Sequence, residues 1–467
     1  MSKKLGNLNT INLIIGVSAL ILFTCSTVKH LLFKSTALDL AIFDQVVYLI
    51  SQGEKPISSL IGFHILGDHA AWIFYPLAVL YKIYPSVYWL FAVQAVALAL
   101  GALPIYQLAQ QAGLKQNLGI AVAAAYLLYP LVFNISLFDF HPDVIAVPAL
   151  LTAVWATRAR KIGWFCVSII LVFGCKAVLS LTVAALGVWL LVFEQRRLYG
   201  AIALLSGIAW FIIATKGIIP YFGGSAASVD RHIYRYSYLG NSFPEMIKNF
   251  LFHPGIVLGK VFSLANLEYL ILLVAPVIWS FSLAQMTPLI AAIPTLVINI
   301  LADYRPQKDL IHQYSLSIIP FLFLVVINSL AAGRGWFKHK RAIILWSLVA
   351  FLALAKYGHF GGKYLSSLDT WQATREAIAL VKPEANVLTL DETAPHLSQR
   401  KVINLLSPET PEIDFAKFDY ILLNTRHTFS RAHKKLAINY VTQLKNHPKF
   451  KSIFHRNDVY LFEKSAS

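Results

Sequence analysis

One feature constrains this chain more than any other: apolar runs of about 15 to 25 residues recur along it, divided by short basic loops. The runs lie at 10–29, 86–111, 117–137, 143–157, 162–175, 177–193, 198–217, 263–282, 285–302, 311–332 and 341–357. A helix of about 20 apolar residues crosses the ~30 Å hydrocarbon core of a bilayer. Transmembrane strands would be about ten residues long with alternating polarity, and no such pattern appears. Only 13% of the residues are charged and 57% are hydrophobic. A soluble protein carries roughly 25% charged residues. The expectation is an all-α polytopic transmembrane bundle of about eleven helices.

The net charge of +17 would also suit a polyanionic partner. The bases are scattered over short loops and the tail, however, so they read as topology signals and no nucleic-acid partner is expected. Four clusters stand out: Lys3/Lys4, Arg158/Arg160/Lys161, Arg196/Arg197 and Arg334/Lys338/Lys340/Arg341. Placing all four in the cytoplasm satisfies the positive-inside rule and puts the N-terminus there. No small-residue cleavage site follows the run from Ile11 to Val28, which predicts a retained first helix. Cys25, Cys166 and Cys175 all fall in apolar runs, so no disulfide framework or thiolate metal motif is expected.

With this parity the stretch between Lys161 and Glu194 goes out and returns. Each arm has about 15 residues, or about 22 Å of helix, short of a full crossing. The arms therefore meet below the outer surface at "GCKAV", with Lys176 at the apex. A lysine at depth costs about 2.5–3.5 kcal/mol unless it pairs or meets water. It either snorkels from a helix end or faces a recessed outer cavity.

Several polar segments then share the outer side. In the loop after the first span, "ALDLAIFDQVVYLISQGEKP" places Leu38, Ile42, Val46 and Leu49 at helical spacing, with Asp39 and Asp44 flanking the stripe. It reads as an amphipathic interfacial helix. "LGDHAAWIFYPLAVLYKIYP" reads as a second, anchored by Trp72, Tyr75, Tyr81 and Tyr84. Beyond residue 357 charge rises and the apolar runs shorten. A helix is expected at 369–381, strands at 385–391, 401–406 and 418–424, a basic helix at 430–445 and a closing hairpin. The predicted domains are a transmembrane domain, 1–357, and a small extracytoplasmic α/β domain, 358–467.

The chemistry-bearing residues gather at these outer segments. Asp39, Asp44, Asp68, Asp139 and Asp143 come from distant parts of the chain. Carboxylates beside a histidine can hold a divalent cation such as Mg or Mn, or act as general base. Taken singly, each also fits a solvated residue or a helix cap, Asp143 especially. His64, His69 and His141 lack zinc spacing and suit hydrogen bonds to a phosphate or sugar. Arg305, Lys308, His312 and Tyr314 open the tenth run and suit an anionic lipid headgroup, or a polar loop with aromatic anchors. Arg231 and Arg235, four apart, share a helical face and either grip phosphate or face solvent. There is no G-x-x-x-x-G-K-[ST], G-x-S-x-G or H-E-x-x-H, so nucleotide-driven transport and serine hydrolysis have no support. No inverted repeat speaks for a secondary transporter.

Taken in order, "LDLAIFDQVVYLISQG", "GDHAAWIFYPLAVLY", "VQAVALALGALPIYQLA", "YLLYPLVFNISLFDFHPD", "YSYLGNS", "HQYSLSIIPFLF", "PHLSQRKVINLL" and "FDYILLN" resemble a widespread family of bacterial and archaeal polytopic membrane proteins, a domain of unknown function grouped with the GT-C superfamily of membrane glycosyltransferases. The resemblance spans nearly the whole chain. It implies an inverting glycosyltransferase of the plasma (inner) membrane, taking sugar from a polyprenyl-phosphate carrier on the non-cytoplasmic face. It implies that Asp39, with Asp44 second, is the carboxylate of the first outer loop that acts as base or aligns the acceptor, and that Asp139 and Asp143 form a second acidic motif that holds a divalent ion or positions the acceptor. Phosphate then falls to Lys176, Arg305 or His312, and the α/β domain grips the acceptor. The pattern departs in one place. Related sequences resemble Lys-Glu-Asp at the apex, whereas here Ala177 and Val178 follow Lys176. That departure fits an alternative: a catalytically lapsed scaffold that binds a membrane or periplasmic protein partner through its tail domain.

Overall fold

The computed structural model describes residues 2–227, 229–408 and 413–465, without the side chains of 2–8, 225–226, 229–232 and 243. Helices occupy each of the expected apolar runs. Among the described residues four helices are long and apolar enough to cross a membrane unbroken: Asn9–Leu31, Tyr88–Gln111, Arg197–Gly223 and Arg305–Ala331. Three bent helix pairs are long and apolar enough only when each is taken together. One is Gln116–Leu127 with Pro130–Ser136, bent by 43°. Pro130 explains that bend, because proline lacks the N–H that would continue the ladder and pushes the preceding residue out of the helical region.

The chain forms two compact units. The first comprises residues 1–23, 66–73 and 92–356. Its interior helix Ile319–Ala331 is buried on nearly every side from Ile319 to Ile327, as expected for a helix that is hydrophobic all round. Helices Leu179–Val192 and Arg197–Ile212 approach backbone to backbone. A Cβ on Gly187 would lie 2.4 Å from the Leu204 nitrogen, and one on Gly207 would lie 2.6 Å from the Ala184 nitrogen. Small residues allow this approach, and dispersion then holds the pair where lipid supplies no hydrophobic drive.

Two shorter apolar helices, Ile162–Cys175 and Leu179–Val192, have 14 residues each. Each is about 21 Å long at 1.5 Å per residue. They are interrupted at Lys176, whose backbone is extended (φ −156°, ψ 142°). The break therefore falls at the expected apex.

The second unit comprises residues 24–65, 74–91 and 357–467. Its centre is a five-stranded sheet in the order β2-β1-β3-β5-β4, with β1 Val387–Thr389, β2 Ile403–Leu405, β3 Tyr420–Asn424, β4 Phe450–Arg456 and β5 Val459–Lys464. Strands β2, β1 and β3 are parallel, and β5 joins β3 and β4 antiparallel. Asn457 and Asp458 both have positive φ, the backbone that a two-residue hairpin between β4 and β5 demands. Both sheet faces are covered. Val387, Tyr420 and Leu422 pack with Ala373 and Ala377 of helix Leu368–Ala379. The alternate residues Leu388, Ile421 and Leu423 pack with Ala437, Val441 and Leu444 of helix Arg431–Lys445. This is the period-two alternation of a strand read on two buried faces.

Helix Ile42–Ser51 belongs to this unit. Ile42, Val46 and Leu49 are buried as the stripe predicts, while Leu38 is exposed. The polar side is enclosed as well: Asp44 and Gln45 are buried.

Candidate functional site

The candidate site in the first unit is built around a buried ion pair. Lys176 Nζ lies 2.8 Å from Asp143 Oδ2, and both residues are buried. Asp143 opens helix Asp143–Arg158, where the helix dipole favours an acid. Lys176 leaves the broken backbone between the two short helices. The break is itself satisfied by hydrogen bonds to the 66–73 segment. Ala177 N–H donates to the His69 carbonyl (2.9 Å) and Ile73 N–H to the Gly174 carbonyl (3.0 Å). The Trp72 ring covers Gly174 so closely that a Cβ there would stand 2.8 Å from it. Asp68 and His69 approach to 3.4 Å on this same segment. Thus Asp143, Lys176 and the backbone of His69 meet. Lys176 and Asp143 form an ion pair rather than two separate charges.

The loop before Asp143 is strained and buttressed. Asp139 is buried with φ 99°, a region costing a non-glycine residue about 1–3 kcal/mol. Gln94, fully buried, holds it there. Its amide nitrogen donates to the carbonyls of Ile135, Ser136 and Asp139 at 3.0–3.4 Å, and its Oε1 accepts from His141 N–H at 3.1 Å. Sequence reading missed Gln94. Its one signal is an amide inside the otherwise apolar "VQAVALAL".

Phe138 joins this loop to the segment at 305–314. Its ring stacks on His141 (5.2 Å) and meets His312 edge-on (4.3 Å). His312 Nδ1 lies 2.8 Å from Asp309 Oδ2, and Asp309 also accepts N–H bonds from Ile311 and His312. Asp309 too was missed; it orients His312. Arg235 sits over Tyr304 at 4.6 Å and near Tyr314 at 5.5 Å, with a bond to Gln307 at 3.4 Å. Its guanidinium is held by aromatic faces. Arg305 is exposed. The Arg231 side chain lies outside the described residues.

In the second unit Asp44 is fully engaged. Tyr81 hydroxyl and Ser398 hydroxyl each donate to it at 2.6 Å, and Gln399 amide at 3.2 Å. Burial pushes its carboxyl up, while these three hydrogen bonds pull the other way. This is the geometry of a carboxylate that ties the 398–399 segment to helix Ile42–Ser51. Asp39 is half-buried in the turn before that helix. Among the described residues no three His, Cys, Asp or Glu side chains converge as a metal site. With Asp143 held by Lys176, the pair Asp139 and Asp143 does not fit a divalent ion, and no chemistry is routed through one.

The fold has known relatives. It matches the structure of ArnT from Cupriavidus metallidurans bound to undecaprenyl phosphate, with a TM-score of 0.57, 14% identity and 98% of each chain covered. It also matches the apo state of that protein, with a TM-score of 0.54, 13% identity, and 97% and 98% covered. At such identities the likeness concerns the fold alone, here a helical body with a small C-terminal five-stranded sheet domain. No sequence among the curated proteins matches. A family model does: residues 29–461 match the DUF2079 family of predicted membrane proteins, and this multi-pass membrane chain belongs to it.

Proposed function

We propose that this protein transfers a sugar from a polyprenyl-phosphate carrier to an acceptor on the non-cytoplasmic face. The observation that carries the reading is the buried Lys176–Asp143 pair at a helix break within a GT-C fold whose relative binds undecaprenyl phosphate. An ammonium carries a charge and three donors, so Lys176 can meet a phosphate oxygen, with Asp143 2.8 Å away fixing its direction. In the transfer, the acceptor hydroxyl oxygen bonds to the anomeric carbon as the bond from that carbon to the phosphate oxygen breaks. The electron pair leaves with the phosphate, where Lys176 stabilises the growing charge. The hydroxyl proton passes to a general base. The resemblance assigns that role to Asp39. His312, oriented by Asp309, and Arg235 are further phosphate or sugar donors.

A second reading has its own observation. Ala177 is buried at a position where the family resemblance implies an acid, which favours a scaffold that binds a protein partner without turning over. One experiment separates the two. Lipid-linked sugars and surface glycans are profiled in cells carrying a full deletion, Asp39→Asn or Lys176→Met. Transferase activity predicts that the point variants accumulate donor as the deletion does. A deletion phenotype that both point variants rescue selects the scaffold. Unchanged glycan and lipid profiles in all three strains remove the transferase reading.

A further inference from the structure

The second unit holds a cavity of about 210 Å³ that the mechanism above does not use. It opens at the carboxyl ends of the parallel strands β1 and β3. Leu390, Glu392 and Thr393 follow β1, Asn424 ends β3, and Arg426 and His427 follow it. The connection from β1 leads to β2 on one side, whereas that from β3 leads toward β4 and β5 on the other. The β1/β3 boundary is thus the point where strand order reverses, and open α/β sheets take ligands in the crevice there. Ser367 and Thr370, at the start of helix Leu368–Ala379, close one wall.

The charges lining the cavity are already matched. Arg426 is bridged to Asp369 and Asp458, both at 2.9 Å. His427 is bound to Asp369 at 2.7 Å, and Lys34 lies in the field of both Asp369 and Glu392 and donates to the Ser366 hydroxyl. An added anion would find no unmatched cation, so phosphate is disfavoured. Hydroxyls and amides dominate what is left. Asn424 is fixed by its bond to Thr370 (3.0 Å) and by accepting the N–H groups of Arg426 and His427, so that wall is preorganised. The Ser367 hydroxyl oxygen is buried and has no hydrogen-bond partner among the described residues. Such a group is costly to leave unmade unless something completes it. The Phe33 ring supplies an apolar wall.

We propose that this cavity binds one sugar residue of a glycan, with Glu392 and Ser367 as hydrogen-bonding partners of its hydroxyl groups and Phe33 against its ring. The size agrees: drug-sized pockets hold roughly 300–1,000 Å³, and this one suits a single ring. Burial, with the charge of Asp391, raises the Glu392 carboxyl to about 7, so near neutral pH it donates as well as accepts. Vicinal hydroxyls need both.

The test uses full-length protein in nanodiscs and saturation-transfer NMR. The probes are the methyl glycosides of glucose, galactose, mannose and N-acetylglucosamine, with inorganic phosphate followed by its own resonance. At least one glycoside should receive saturation. That signal should fall at least tenfold in Glu392→Gln and in Ser366→Trp, which blocks the rim from an exposed position. It should persist in Lys176→Met, which separates this site from the transfer chemistry. Ser367→Ala is the milder variant should either of the first two lose its thermal transition. The proposal is overturned if no glycoside is saturated, if phosphate alone responds, or if every folded cavity variant keeps the full signal.

Discussion

Lys176 and Asp143 show how a residue's worth depends on its partner. Removing one member of a buried pair leaves an uncompensated charge and costs about 3–5 kcal/mol, whereas replacing both with apolar groups is often near neutral. Lys176→Met and Asp143→Leu should each lower the thermal midpoint of the purified protein sharply, and the double variant should recover most of the loss. Additive losses would show that the pair is not coupled. Gln94 makes a second case. Gln94→Leu keeps the volume but strands the His141 N–H and takes a donor from three carbonyls, of which Ile135 keeps the Phe138 N–H, at about 1–3 kcal/mol for each group left unsatisfied. Loss of protection of the 135–141 amides in hydrogen exchange is the expected sign, and unchanged protection would contradict it. These residues also mark what a sequence can disclose. Asp139, Asp143 and Lys176 stand out singly because charge is costly in apolar surroundings. That Lys176 pairs with Asp143, and that Asp44 is spent on Tyr81, Ser398 and Gln399, depends on contacts between distant segments. No local pattern encodes those contacts.

Helices were far more legible than their contacts. Apolar run length fixes where helices form, since in lipid every backbone group must bond within its own segment. The break at Lys176 followed from arithmetic alone, because the stretch was too short for two full crossings. The tail strands were legible from their short β-branched and aromatic runs between turn residues, and β1, three residues long against an expected run at 385–391, was the most overextended expectation. What run length leaves open is how helices meet. Gly187, Gly200 and Gly207 read as ordinary apolar-run residues, yet they set the approach of Leu179–Val192 to Arg197–Ile212. Gly207→Val would drive two methyl groups into the Ala184 backbone. Overpacking of this kind costs about 1–3 kcal/mol, more where backbone must move. The variant should melt earlier in detergent, whereas Gly163→Val, with open space around its Cβ position, should not. Equal effects at both positions would remove close approach as the cause.

The molecule combines two kinds of stability. Helices of the first unit pack through small residues and dispersion, while the sheet of the second has apolar cores on both faces and titratable groups close to them. Two of these respond to pH with opposite sign. Burial lowers His396 to about 4 from 6.5; its ring stacks on His30 at 3.9 Å, and its Nε2 has no partner among the described residues. Between pH 6.5 and 4 the unfolded chain binds this proton and the folded one does not, so the histidine removes stability as pH falls through that window. Glu392, raised to about 7 from 4.5, does the reverse: the folded chain holds a proton that the unfolded chain has released, and stability is lost as pH rises from 4.5 to 7. At about 1.36 kcal/mol per pH unit, each contribution is on the order of 3 kcal/mol. From pH 4.5 to 6.5 the two nearly cancel, and these residues should leave the second unit's stability flat there. Single variants expose each slope. In Glu392→Gln, protection of the β1 and β3 amides, corrected for intrinsic exchange, should fall as pH drops from 6.5. In His396→Phe it should fall as pH rises from 4.5. Parallel pH profiles for the wild type and both variants would mean that neither group titrates across folding as its burial requires.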